Sequence, residues 1–396
     1  MLEVAMMKFT CENKVLTIFL EGRIDSSNSE QIGAELEKII AENPCESIIL
    51  DAENLEYTSS AGLRVILKIR KQAEDLKIIN ASSEVYDIFD MTGFTEIITI
   101  EKAYRRLSID GCEVIGQGAN GKVYRLDPDT IIKVYYNSDA LPDIHREREL
   151  ARKAFVMGIP TAIPYDVVKV GDSYGSVFEL LSAKSFAKLI VAEPERLDYY
   201  VGLYVDLLKK IHATELKPGD MPDMKEVALG WAEFLRDYLP ADKADKLVNL
   251  VKAVPVDNHM MHGDYHIKNV MMQNGEVLLI DMDTLCMGHP VFEMASVFLA
   301  YVGYSENDHS ISQSFMGVPH ELCEQIWDKT VRLYFGTDDE AKLKELTDKA
   351  KLIGYTRMMR RTIRRNGFNT EAGRKDIETC KEHIEQLLET VDTLQF

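Results

Sequence analysis

The 396-residue sequence predicts two domains of α/β and α+β class, a small one over residues 1–104 and a larger one over 108–396. Three observations predict this. Strand-like and helix-like apolar patterns alternate over the first hundred residues. A glycine-rich stretch at 116–121 lies between segments of strand type. Polar motifs at 262–269 and 281–283 fall where a loop and a strand end would carry chemistry. A hydrophobic share of 46% is enough to build cores of this size.

The elements of the first domain follow in order. Val15–Leu20 is an apolar run of strand type, and Ile32, Leu36, Ile39 and Ile40 then share one helical face. Ser47–Leu50 is a second strand, ending in Asp51. Leu63, Ile66, Leu67 and Arg70 mark a second helix, Lys77–Ile79 another strand, and Val85, Ile88 and Phe89 a third helix. Ile97–Ile100 closes the set. The result is a sheet covered by helices. A short linker around Tyr104–Ser108 leads into the second domain.

That domain opens with Gly116-Gln117-Gly118-Ala119-Asn120-Gly121-Lys122-Val123. Three phosphate-binding patterns fit it, and each makes a different demand. A dinucleotide-binding G-x-G-x-x-G must open a helix. Here Val123–Leu126 favours a strand, Asp127–Thr130 a turn and Ile131–Tyr135 another strand, which makes a hairpin. A G-x-x-x-x-G-K-[ST] loop needs a final hydroxyl and a following helix; Val123 supplies neither. What remains is a glycine-rich flap, G-x-G-x-x-G-x-V, whose bare backbone can approach phosphates. Lys133 on the next strand is placed to reach the α and β phosphates. Asp143–Arg152 has the character of a helix start, Gly158-Ile159-Pro160 of a helix end, and Val177–Ser182 of a strand.

The chemistry concentrates in His262-Gly263-Asp264-Tyr265-His266-Ile267-Lys268-Asn269 and, twelve residues on, Ile280-Asp281-Met282-Asp283. Phosphoryl transfer needs a carboxylate to hold the attacking hydroxyl. It also needs an amide and a second carboxylate to hold magnesium across the nucleotide phosphates. Asp264 is the candidate base, Asn269 and Asp281 are candidate magnesium ligands, and His262 and Asp283 support them. Val277–Ile280 is of strand type, which would put Asp281 at a buried strand end. His259, His262 and His266 also raise a zinc alternative. A zinc-binding helix wants its histidines on one uninterrupted face, and Gly263-Asp264 argues for a loop instead.

The pattern H-G-D-x-H-x-x-N followed by I-D-x-D resembles the aminoglycoside phosphotransferase and choline kinase group of kinase-like enzymes, over residues 108–390. The resemblance implies a bilobal protein kinase-like fold, with an N-lobe and hinge over 108–185 and a C-lobe over 186–396. It implies ATP and Mg2+ as cofactors and a hydroxyl as phosphoryl acceptor. Gly116, Gly118, Gly121, Val123 and Lys133 would line the nucleotide, with Glu179 and Leu181 at the adenine hinge. Glu149 would hold Lys133 extended, with Glu147 the second choice. Ala183 stands near the place where the family often has a glycine.

In the first domain, Leu20–Ser27 and Leu55–Val65 resemble the STAS domain of anti-sigma-factor antagonists. The resemblance implies an anti-sigma-type protein partner and a regulatory phosphoserine just before Gly62-Leu63, at Ser60. Ser59 stands where that family usually has aspartate. A phosphate at a helix start would meet free amides and the positive end of the dipole. A serine there is equally suited to plain N-capping, so both readings stay open.

The sequence contains no long uncharged apolar run and no secretory-type amino terminus, so a cytoplasmic protein off the membrane is expected. Six scattered cysteines fit free thiols in a reducing compartment. A net charge of -19 disfavours nucleic acid as a partner. One stretch runs against it. Arg357, Arg360 or Arg361, and Arg364 or Arg365 recur along one helical stripe. It is either a solvated face or a basic wall for an acidic substrate, a phosphate or the amino-terminal domain. Three functions follow: a small-molecule kinase with a STAS sensor or docking module, a protein kinase in a partner-switching pathway acting on Ser60, or a non-catalytic nucleotide-binding scaffold. Lys133, Asp264, Asn269 and Asp281 together disfavour the last.

Overall fold

The structure, a computed structural model, describes residues 7–73, 75–118, 120–162, 164–181 and 183–396. Met1–Met6, Ala119 of the glycine-rich stretch and Ser182 lie outside the described residues. The chain divides into two compact units, Met1–Ser108 with Val167–Asp172, and Ile109–Asp166 with Ser173–Phe396.

The first unit is built on β1 (Phe9–Glu12), β2 (Val15–Ile24), β3 (Ser47–Thr58), β4 (Leu76–Ala81) and β5 (Thr99–Lys102), adjacent in that order. β1 runs antiparallel to β2, and the other strands run parallel. Helices α1 (Ser29–Glu42), α2 (Ser60–Gln72) and α3 (Ser83–Met91) connect them. Leu16, Ile18, Leu20 and Ile24 project alternately into the core, where they meet Leu36 and Ile39 of α1, Leu63 and Ile66 of α2, and Phe89 of α3. The alternation of period two against helical stripes is the reason this sequence makes a sheet with covering helices. Two details depart from the sequence reading. β1 is a fully exposed strand joined to β2 through Asn13 and Lys14, both at positive φ; with no buried face it leaves no apolar pattern to read. Ile97 and Ile98 precede the last strand, and Ile98 is buried beside the short turn holding Phe94.

The second unit opens with β6 (Glu113–Gln117), β7 (Gly121–Asp127) and β8 (Thr130–Tyr135), then α4 (Leu141–Val156); β9 (Asp166–Val170) follows in the chain but from Val167 on is grouped with the first unit, and the second resumes with β10 (Ser173–Glu179). β6, β7, β8 and β10 pair antiparallel in that order. After β11 (Lys184–Ser185) the unit becomes helical: α5 (Phe186–Ala192), α6 (Leu197–His212), α7 (Met224–Phe234) and α8 (Ala241–Ala253). Four short strands follow, β12 (Met260–Met261), β13 (Val270–Gln273), β14 (Glu276–Leu279) and β15 (Cys286–Met287). Then come α9 (Val291–Tyr301), α10 (Ser310–Met316), α11 (His320–Phe335), α12 (Glu340–Arg364) and α13 (Glu371–Thr390). Every residue of α9 is buried, so this helix forms the axis of the helical core, with α11 and α12 against it. Its first turn lies directly beneath the 262–264 loop. No described helix is long and apolar enough to cross a membrane.

A close approach fixes one position in the first unit. A Cβ on Gly62 would overlap Thr58 Oγ1 and come within 2.7 Å of Ile24 Cγ2, and both side chains are buried. Alanine gains about 1 kcal/mol in helix propensity, but overpacking costs roughly 1–3 kcal/mol. Gly62→Ala should therefore destabilise the first unit, seen as faster amide hydrogen exchange in β2–β4; unchanged protection would contradict this packing.

Candidate active site

Lys133 lies on β8 next to fully buried Ile132, and its own side chain is 16% exposed. Its ammonium reaches Glu147 on α4 at 3.0 and 3.1 Å and Asp281 at 3.3 Å. Burial alone would push Lys133 down, but these two carboxylates hold its pKa well above the usual value. Tyr135 donates to the same Glu147 carboxylate at 2.6 Å. The expected partner Glu149 is corrected by this geometry. Ile144, Glu147, Leu150 and Ala151 face inward on α4, whereas Glu149 points to solvent and pairs with Lys153, one turn on, at 3.1 Å. The helical phase decides between the two glutamates.

The 262–269 segment is a loop after β12, tied down at almost every polar group. Glu293 in the first turn of α9 accepts the backbone N–H of His262 at 2.5 Å and of Gly263 at 3.0 Å. Glu293 is 1% exposed. Burial opposes its charge, but His212, His262 and the Gly263 amide keep the carboxyl below its ordinary pKa. Gly263 has φ +82°, and a Cβ there would overlap the Thr284 carbonyl oxygen, so the turn requires glycine. Its own carbonyl accepts from Ser296 at 3.2 Å and from Arg357 at 3.3 Å. Arg357 also bonds Ser296 and lies 5.6 Å from the Trp231 ring.

His262 spans two segments. Its Nδ1 accepts from the Asp264 N–H at 3.3 Å, and its Nε2 donates to the Ile280 carbonyl at 3.2 Å. Asn269 donates from Nδ2 to the Asp264 backbone carbonyl at 3.0 Å, and its backbone carbonyl accepts the Ile280 N–H at 2.9 Å. The side chain of Asp264 has His266 Nε2 at 3.6 Å. Burial would raise this carboxyl, but His266, His262 and Arg357 bring it down to about 2, so it stays ionised at neutral pH.

β14 ends just before Asp281, which adopts a left-handed backbone with φ +66°. Such strain in a non-glycine residue persists only where the surroundings impose it. Here the Ile280 backbone is held on both sides by Asn269 and His262. Asp283 follows in the 282–284 turn, against which α4 packs. Burial and the adjacent Asp281 raise its carboxyl to about 6, with Lys133 acting the other way. Asn120 in the glycine-rich turn donates to Asp283 at 3.1 Å, closing that turn over the strand end. Thus Lys133, Asp281, Asp283 and the glycine-rich turn meet, with Asp264 and Asn269 fixed beside them.

The remaining expected residues fall as follows. Gly116 and Val123 pair across β6 and β7, Gly118 donates to the Gly121 carbonyl at 2.9 Å, and Gly121 pairs with Tyr135. Glu179 ends β10 opposite Thr130, and Leu181 is half-buried just beyond. In the first unit, Ser59 rather than Ser60 caps α2, accepting the Ala61 N–H at 3.2 Å; Ser60 is the exposed first residue of that helix. Among the described residues no three His, Cys, Asp or Glu side chains are grouped to hold a metal, and this includes the three histidines of the zinc alternative. From the sequence Glu293 and Asn120 carry no role of their own, and Arg357 reads as part of the basic stripe, not as a partner of the 262–264 loop. Glu293, Arg357 and Asn120 lie 31, 94 and 163 residues from their partners, a separation that leaves no local signal.

A glycine-rich hairpin, a buried lysine–glutamate pair and an aspartate loop facing a strand-end carboxylate define the class of phosphotransferases. A family model for the phosphotransferase enzyme family, APH, matches residues 111–316, and a STAS domain model matches residues 7–107. The chain belongs to the APH phosphotransferase family and carries a STAS domain ahead of its phosphotransferase domain. Residues of the STAS region are 33% identical over 100 residues to the putative anti-sigma factor antagonist BtrV of Bordetella bronchiseptica, covering 24% of this chain and 85% of that protein. They are 29% identical over 90 residues to an anti-sigma F factor antagonist of Paenibacillus polymyxa, covering 22% and 77%. Similar solved structures include a thermostable mutant of aminoglycoside phosphotransferase APH(4)-Ia, with TM-score 0.49, 14% identity and coverage of 71% and 97%. Another is a choline/ethanolamine kinase family protein from Mesorhizobium loti, with TM-score 0.44, 15% identity and coverage of 70% and 88%.

Removing Glu147 would leave Lys133 and Tyr135 buried without their main partner. Glu147→Ala should cost roughly 3–5 kcal/mol, against about 0.5 kcal/mol or less for Glu149→Ala. Both tryptophans, Trp231 and Trp327, lie in the second unit, so their fluorescence in urea reports this directly. Equal costs would reject the assigned pair.

Proposed function

We propose that the second unit transfers the γ-phosphoryl group of ATP to a hydroxyl of a small molecule, in a nucleotide lobe running to about residue 185 and an acceptor lobe beyond it. The observation that carries this reading is the buried Lys133 ammonium, braced by Glu147 and facing Asp281, beside a loop in which Asp264 is held ionised. Lys133 would hold the α and β phosphates under the glycine-rich turn, with Val123 on its wall and the backbone of Glu179 and Leu181 at the base. Asp264 would orient the acceptor hydroxyl and take its proton as the O–P bond forms.

The donor set fits magnesium. Asp281 and Asp283 supply carboxylate oxygens. Asn269 supplies an amide oxygen, because its Nδ2 is already committed to Asp264. All are hard oxygen donors. Too few of them converge to form an all-protein cage, which suits a cation that shares phosphate oxygens and water. Bound there, the metal would neutralise charge on the transferring group.

The STAS domain is a regulatory or docking module with an anti-sigma-type protein partner, a reading supported by the relatives' names. Six free cysteines support a cytoplasmic setting. Transfer to Ser60 is the second reading, favoured by that serine's exposure and by Ser59 already serving as the cap.

Two measurements test these readings. Asp264→Asn should lower kcat for phosphoryl transfer by roughly 10²–10⁴-fold with an unchanged circular dichroism spectrum; full activity would remove Asp264 from the site. Intact-mass spectrometry after incubation with magnesium and ATP should show no added phosphate. One phosphate mapped to Ser60, absent in Asp264→Asn, would replace the small-molecule reading with a self-modifying switch.

A further inference from the structure

The carboxy-terminal half of α12 is a cationic strip in an anionic chain. Between Asp348 and Glu371 the sequence has no acidic residue, yet it carries Lys349, Lys351, Arg357, Arg360, Arg361, Arg364 and Arg365. Arg357 is occupied by the catalytic loop. Among the described residues, Arg360, Arg361 and Arg364 form no ion pair with any carboxylate. Arg360 lies 6.0 Å from the Phe234 ring centre and Arg361 lies 5.0 Å from that of Tyr304. Aromatic faces hold these guanidinium stems in place without neutralising them. Arg360 is partly buried with the charge of Arg364 one turn away, and both effects hold its pKa below the ordinary value. Two cations kept close with no anion between them form a cost that an oxyanion would relieve.

The strip is also tied to the reacting end. From Arg361, ring contacts run through Tyr304 to Phe315 at 6.2 Å and from Phe315 to His266 at 5.4 Å, and His266 touches Asp264. Along the helix axis, Arg361 and Arg364 lie roughly 6 and 10 Å beyond Arg357 at 1.5 Å per residue. Because Arg357 bonds the carbonyl of Gly263, the residue before Asp264, the strip starts at that loop and runs on from it by that offset.

Resting on the phosphotransferase reading above, we propose that Arg360, Arg361 and Arg364 form an oxyanion subsite that selects an acceptor already bearing a phosphate monoester several bonds from its reactive hydroxyl. A tetrahedral dianion presents enough oxygens for more than one guanidinium fork, which a solvated helix face has no need of. The site that results rejects cationic amino sugars by charge.

The test uses the full chain with its nucleotide site filled by magnesium and a non-hydrolysable ATP analogue, so that phosphate cannot report from there. Inorganic phosphate is titrated calorimetrically against wild type, Arg361→Glu and Arg364→Glu, with Arg361→Gln and Arg364→Gln as milder replacements. Wild type should bind, and each variant should bind roughly 10- to 100-fold more weakly. No binding to wild type, binding untouched by all four variants, or an adventitious ion only, displaced by chloride at equal concentration, would overturn the subsite. Catalysis is read separately with sugars and polyols paired with their monophosphates. A kcat/KM preference for the neutral or cationic member would overturn the inference and leave the kinase reading standing. Wild-type phosphate binding without turnover of any acceptor would instead count against the kinase reading.

Discussion

The arrangement of the second unit depends on one buried carboxylate. Glu293 sits in the first turn of a helix with no exposed residue, and it accepts the amides of His262 and Gly263 from the loop above. A buried amide left without an acceptor costs roughly 1–3 kcal/mol, so this single side chain offsets two such losses at once. It also fixes the left-handed turn at Gly263, which in turn aims Asp264. Arg357 and Ser296 hold the opposite, carbonyl side of the same turn. The loop is thus clamped from two helices.

Much of this was legible in the sequence, and the reason is locality. The fold class of both domains follows from apolar periodicity and from motifs whose members lie within ten residues of one another. The hairpin after Gly116 could be told from a helix because Val123–Leu126 and Ile131–Tyr135 flank a turn. What escaped was phase and distance. Glu147 and Glu149 are two positions apart on one helix, and only the orientation of α4 against its sheet tells which is buried. Glu293, Arg357 and Asn120 act across long stretches of chain, where no spacing rule reaches them. β1 was invisible for a third reason, since an exposed edge strand has no buried face to leave a pattern.

The two units use the start of a helix in different ways. In the first, the amides of α2 are met by a neutral hydroxyl, Ser59, and the neighbouring serine is left to solvent. In the second, the charged group beneath the loop is Glu293, a member of α9 itself, and it reaches outward to amides of another segment. The first arrangement satisfies the helix. The second spends the helix position on organising a loop, an exchange that proteins make where geometry matters more than stability.

His262 carries a consequence beyond its hydrogen bonds. One nitrogen holds the loop that bears Asp264, the other the strand that ends at Asp281. The ring is therefore a rigid spacer of fixed width between the segment that carries Asp264 and the segment that carries Asp281. Any drift of one segment drags the other with it. A flexible side chain of similar polarity would permit the same bonds while losing that gauge.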